Sequence, residues 1–192
     1  MKKTILSAIV ALIAIIAPVA IAAQEVRTFT SNITGFTTLI TTDTKLAKND
    51  IEAVVLMTDN QQFLITALPF QPSKCTENDI AAAINTLADN AGLNLKTASD
   101  IDINNKNLEG GIFIQKNANN VDVALGALNV KGGDLAFYVT ILAGPKYANV
   151  LNPILQSLDF NPDAVNGKTA KKPAAKTATA KKPVAKKKAA KK

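Results

Sequence analysis

Oxygen-bearing side chains stand at alternate positions in Asp100-Ile101-Asp102-Ile103-Asn104, and Glu109 follows five residues later. Oxygen donors in series are what calcium requires, about six to eight of them around one ion. A twelve-residue loop that supplies them needs glycine at its sixth position and a bidentate glutamate at its twelfth. Counted from Asp100, those positions hold Asn105 and Gly111, and Lys106 brings a positive charge into the loop. The series therefore reads as a solvated strand edge followed by an Asn-rich turn, with Ile101 and Ile103 facing inward. Calcium-dependent folding is the alternative.

Other chemistry is limited by what the chain lacks. It contains no histidine, so the usual general base at neutral pH and the commonest metal ligand are both missing. One cysteine, Cys75, leaves zinc short of ligands. No nucleophile elbow, Ser-x-x-Lys or phosphate-binding glycine loop occurs. The expectation is a protein that is not an enzyme and has neither cofactor nor metal. Cys75 precedes Thr76, a candidate helix cap whose position could lower a thiol pKa. It is expected to be a buried or merely tolerated thiol, with pairing between chains as the alternative.

Charge carries the strongest signal. The formal net of +7 combines 22 basic and 15 acidic residues. Two of the cations fall in residues 1–23, nine in 24–165 and eleven in 166–192, while every carboxylate lies in the middle segment. The body therefore stands at −6 and the C-terminal stretch at +11. Residues 167–192 read GKTAKKPAAKTATAKKPVAKKKAAKK, with an imperfect repeat spaced ten residues apart. Lys, Ala and Pro offer little apolar area to offset ordering entropy, like charges repel, and Pro173 and Pro183 interrupt any long helix, so disorder in water is expected. The candidate polyanion-binding residues are Lys168, Lys171, Lys172, Lys176, Lys181, Lys182, Lys186, Lys187, Lys188, Lys191 and Lys192.

A flexible polycation binds phosphates by releasing condensed counterions, and eleven simultaneous contacts would give a log-log salt slope of about −10 as an upper bound. Anionic headgroups would be met at about 1 kcal/mol per lysine. No arginine or aromatic side chain occurs after residue 166, which argues against bidentate readout or base stacking. In composition the stretch resembles the Lys/Ala/Pro-rich tails of linker histones and of some bacterial histone-like proteins, which implies affinity for polyanions, non-specific DNA included.

At the other end, Lys2 and Lys3 precede an apolar run over residues 5–16, Pro18, and small residues at Ala20, Ala22 and Ala23. This is a secretory signal pattern with cleavage before Ala23 or one residue later. It resembles bacterial Sec signals, which implies a periplasmic or secreted destination. Left uncleaved, residues 5–23 approach the roughly 20 apolar residues of a membrane anchor. No further transmembrane span is expected. Asn32-Ile33-Thr34 matches a glycosylation acceptor, read as accidental beside a bacterial-looking signal.

Residues 24–165 are expected to form one α+β domain, a single antiparallel sheet with about two helices packed on one face. Residues 26–39 predict two strands with a turn at 32–35, and 51–58 and 63–68 predict a second hairpin, both runs apolar enough to be buried. Thr76 and Asp79 predict a capped helix with a stripe of Ile80, Ala83, Ile84, Leu87, Ala88 and Ala91, ended by Gly92. Residues 112–115, 121–128 and 135–142 predict a meander. A last helix begins near Pro145, with Val150, Leu151, Ile154, Leu155 and Leu158 on one face, kinked at Pro153 or restarted with Asn152 as cap. Tyr138 and Tyr147 are expected to pack the sheet against that helix. This order, and the ending LAFYVTILAGPKYANVLNPILQSLDF, is similar to PsbP and Mog1-like domains, which implies a binding or accessory role; no motif matches and no residue is carried over.

The leading expectation is an exported protein whose lysine-rich tail attaches it to an anionic polymer or membrane surface. The alternative is a periplasmic binding or accessory module for a small hydrophobic ligand or a partner protein, its tail only solubilising, which calls for a cavity between sheet and helices. A −6 body could also attract its own tail.

Overall fold

A computed structural model of the chain describes residues 25–165. Its first hairpin pairs β1 (Val26–Thr30) with β2 (Phe36–Thr41), Thr30 lying opposite Thr37. The turn is held by Ser31, whose hydroxyl accepts from the amides of Ile33 and Thr34. Gly35 follows at a φ of +75°, where an added Cβ would come within 2.6 Å of the Phe160 ring. Only glycine tolerates both the left-handed backbone and that approach.

After a two-residue corner at Thr42 and Asp43 the chain changes sheet. β3 (Thr44–Asn49) pairs antiparallel with β4 (Val54–Thr58), with a bulge between Leu46 and Lys48, and β4 pairs with β5 (Phe63–Phe70). The second predicted hairpin is thus β4–β5, but Ile51 sits in the preceding turn with 81% of its surface exposed rather than in a buried strand. β3, with the sequence TKLAKN, has no apolar alternation and carries no strand signal in its residues.

A short 3-10 turn (Pro72–Lys74) leads into α1 (Glu77–Ala91). The Asp79 amide donates to the Thr76 hydroxyl at 3.2 Å and the Thr76 amide donates to the Asp79 carboxylate at 2.9 Å, a reciprocal cap. Gly92 ends the helix in the left-handed region at φ 68°. Then come β6 (Ser99–Asn104), β7 (Leu108–Lys116), β8 (Asp122–Val130) and β9 (Ala136–Ala143), an antiparallel meander whose last strand pairs with β5 along its whole length. The large sheet has the order β3-β4-β5-β9-β8-β7-β6.

The chain closes with a 3-10 segment (Pro145–Val150), α2 (Leu151–Ser157), the two-residue strand β10 (Asp159–Phe160) and α3 (Pro162–Val165). Neither Pro153 nor Asn152 acts as the sequence suggests. The helix restarts at Leu151 without a side-chain cap, and Pro153 falls at its third residue, where a missing amide hydrogen costs nothing because first-turn amides have no intrahelical partner. β10 pairs with β2, giving a second sheet of order β1-β2-β10. Beyond the reach of β10, the Leu39 amide is satisfied by the Ser157 hydroxyl at 2.7 Å.

The fold is therefore α+β in the broad sense, but with two antiparallel sheets instead of one. The helices also divide between both faces of the large sheet instead of sharing one. Period-two alternation explains this. Phe63, Ile65 and Ala67 of β5, with Phe137, Val139 and Ile141 of β9, point to the face covered by the small sheet and α2. Leu64, Val123, Leu125 and Leu142 point to the other face, where Leu87 and Ala88 of α1 cover them. Phe36 and Phe160 reach Phe137 at ring separations of 5.5 and 6.4 Å, which fastens the small sheet to the large one. Burying one such ring contributes about 1.5–3 kcal/mol, so the aromatic bridge and the α2 residues Leu151, Ile154 and Leu155 hold this second layer.

Candidate functional site

The eleven candidate lysines, Lys168 to Lys192, and the signal segment lie outside the described residues. Within those residues the chain heading toward the lysines is anchored beside the β6–β7 turn. Asn105 donates from Nδ2 to the Leu158 carbonyl at 2.7 Å, and Asn107 donates from Nδ2 to the Asp159 carboxylate at 3.0 Å. The Asn105 side-chain oxygen Oδ1 also accepts from the amides of Asn107 and Leu108, shaping the turn itself. The Asn-rich segment is thus the seat of the C-terminal chain, a role with no signal in composition because the partner lies 53 positions away.

The oxygen series Asp100, Asp102 and Asn104 occupies one side of β6, the edge strand of the large sheet, all three exposed, while Ile103 is buried and Ile101 half-buried on the other side. Same-face neighbours along a strand lie about 7 Å apart, too far to converge on an ion whose ligand oxygens sit at about 2.4 Å. Glu109, opposite Asn104 across the ladder, faces the same side. Among the described residues no group of three acidic or thiol side chains could hold a metal ion.

A different carboxylate is held by one neighbouring side chain and two that are remote in sequence. Asp43, at the corner between the sheets, accepts from the Tyr147 hydroxyl at 2.8 Å and from the Thr41 hydroxyl at 2.7 Å, with the Lys146 ammonium 3.4 Å away. Burial opposes its ionisation, but the hydrogen bonds from Thr41 and Tyr147 and the charge of Lys146 outweigh this and hold Asp43 below the ordinary carboxylate range. Burial and the Asp43 carboxylate push the Tyr147 phenol up. The hydrogen bond to Tyr147, with Asp43 nearby, raises the Lys146 ammonium in turn. The Tyr147 ring is fully buried against Phe63, centroids 5.3 Å apart. The buried phenol, held in its protonated form, fastens the 3-10 segment to the corner at Asp43.

Tyr147 therefore packs between the sheet and the last helices as expected, but Tyr138 lies on the opposite face. It stacks on Phe70 at 4.1 Å and 12°, and burial together with Cys75 and Asp79 raises its phenol. Cys75 is free and half-buried. Asn32 of the glycosylation triplet is exposed, its side-chain oxygen accepting from Asn49 at 3.0 Å. A groove of about 380 Å³ opens at the end of α1, lined by Asn85, Asp89, Leu93 and Lys96 among others. All of its walls come from α1 and the loop after it, none from the sheet.

No protein-family model and no curated protein matches the chain. No helix among the described residues is long and apolar enough to cross a membrane, which says nothing about a strand-built barrel.

Proposed function

We propose that this is an exported, non-enzymatic protein whose lysine-rich C-terminal stretch attaches its folded domain to anionic surfaces or polymers, such as membrane headgroups, a cell-surface polymer or extracellular DNA. The observation that carries this reading is the segregation of charge: +11 in residues 166–192 and −6 in residues 24–165. A purely cationic block without arginine or aromatic residues recognises charge density and not sequence. The N-terminal pattern directs the protein to the periplasm or outside the cell, and removal of residues 1–23 would release it from the membrane. The absence of histidine from the chain leaves little for neutral-pH acid–base catalysis.

The test compares the full chain with a form ending at Asn166 for retention on anionic liposomes and on DNA as salt is raised. Loss of retention in the shortened form is expected. Equal retention by both forms would overturn the reading.

A further inference from the structure

Asn85, Ala88, Asp89 and Gly92 stand three and four residues apart and so share one stripe of α1. At Gly92 the backbone turns left-handed, φ 68°, and the chain leaves the helix so that Leu93, Leu95 and Lys96 line the groove of about 380 Å³ together with that stripe. Small-molecule sites run from about 300 to 1,000 Å³, and this groove lies within that range. Its base is apolar. Ala88 and Leu93 are 1% and 5% exposed and belong to the core between α1 and the large sheet, with Leu95 half-buried against it.

The loop that completes the groove is braced from outside by side chains of β7 and the turn after it. Gln115 accepts from the Asn94 amide at 2.8 Å and donates to the Thr97 hydroxyl at 2.9 Å, while Asn117 donates to the Ala91 carbonyl at 3.2 Å. The Asn94 carbonyl in turn accepts from the amides of Thr97 and Ala98 at 3.0 Å. A groove held in this way needs little ordering when it is filled, which favours binding.

Its charges are unmatched. Asp89 and Lys96 both line the groove, both are exposed, and among the described residues neither forms an ion pair. Asp89 also lies in the last turn of α1, which holds no basic residue. A carboxylate is disfavoured there because the helix carbonyls already present partial negative charge. With no cation of the protein upon it, this end of the groove favours an ammonium from outside. Lys96 repels a simple cation but attracts a carboxylate, so a molecule carrying both groups matches the pair. No aromatic ring lines the groove, which leaves a nucleobase nothing to stack on.

We propose that this groove binds a small aliphatic zwitterion of the amino-acid type, its ammonium on Asp89, its carboxylate on Lys96 and its side chain against Leu93 and Leu95. Both charge contacts are exposed and therefore weak, which places the dissociation constant in the millimolar range.

NMR titration of the isotopically labelled full chain tests the site, with leucine, leucyl-leucine and two blocked forms, N-acetyl-leucine and leucinamide, as probes. Leucine or the dipeptide should give saturable shifts centred on residues 85–98, and the tighter of the two assigns the source to free amino acids or to peptide ends. Each blocked form should bind about fivefold more weakly, and so should the better zwitterion to Asp89→Asn and to Lys96→Gln, the upper range for one exposed charge contact. Asp89→Asn should melt no lower than the natural protein, since it removes a charge from the unfavourable helix end, which separates lost binding from lost folding. Absence of saturable shifts with both zwitterions, or equal affinity for zwitterions and blocked forms, would overturn the proposal.

Discussion

The Tyr147 hydroxyl donates to the Asp43 carboxylate at 2.8 Å across 104 positions of sequence, and this bond fastens the 3-10 segment before α2 to the corner where the chain passes from the small sheet to the large one. Tyr147→Phe keeps the ring against Phe63 and removes only the hydroxyl. A loss of about 1.5–3 kcal/mol of unfolding free energy is expected in urea titration, the range for one hydrogen bond to a charged partner. No loss would mean that Lys146 and Thr41 alone hold the corner.

The same corner sets part of the acid stability. The folded pKa of Asp43 is depressed, so its contribution is complete above its unfolded value of about 3.9 and is lost as pH falls through the folded value. The melting temperature of the natural protein should fall between about pH 5 and pH 2 more steeply than that of Asp43→Asn. Parallel curves would show that Asp43 contributes nothing to this slope.

Glycines of the β7–β8 pair differ sharply in what they tolerate. An added Cβ at Gly126 would lie 2.0 Å from the Gly111 carbonyl oxygen, whereas one at Gly111 meets nothing within 4 Å. Gly126→Ala should destabilise by about 3 kcal/mol or more by forcing the strands apart, and Gly111→Ala should be neutral or slightly stabilising. Thermal unfolding of the two variants checks the contrast, and equal effects would contradict the strand approach described above.

Some of this architecture is legible in the residues, and the rest is not for identifiable reasons. Thr76, Asp79 and Gly92 announce α1 because capping chemistry is local, and the meander β7–β9 shows through its alternating apolar runs. β3 is hidden because an exposed edge strand with Lys45, Leu46 and Lys48 needs no apolar alternation. The second sheet depends on β10, two residues pairing with Phe36 and Thr37, a contact that no local pattern encodes. Division of the helices between two faces follows from which of Leu64 or Ile65 meets which layer, and period two alone does not choose. For the candidate site, charge is legible at the level of segments. That Asp100, Asp102 and Glu109 share one face, and that Asn105 and Asn107 hold Leu158 and Asp159, requires the β6–β7 register and contacts more than 50 positions apart.

A buried polar atom gives an opposite prediction. Thr66 Oγ1, in the centre of the large sheet opposite Val55 and Thr140, is buried without a hydrogen-bond partner. Leaving such a hydroxyl unsatisfied costs about 1–3 kcal/mol, so Thr66→Val should raise the urea midpoint at unchanged m-value. A lower midpoint would show that the hydroxyl is satisfied in solution.

The central claim is that the lysines of residues 166–192 bind by charge alone. The most direct measurement is the dissociation constant of the full chain for duplex DNA of two unrelated sequences across a salt series. Log K should fall linearly with log salt at a slope of several units, bounded near about −10, and identically for both sequences. A salt-independent constant, or a preference for one sequence, would contradict it.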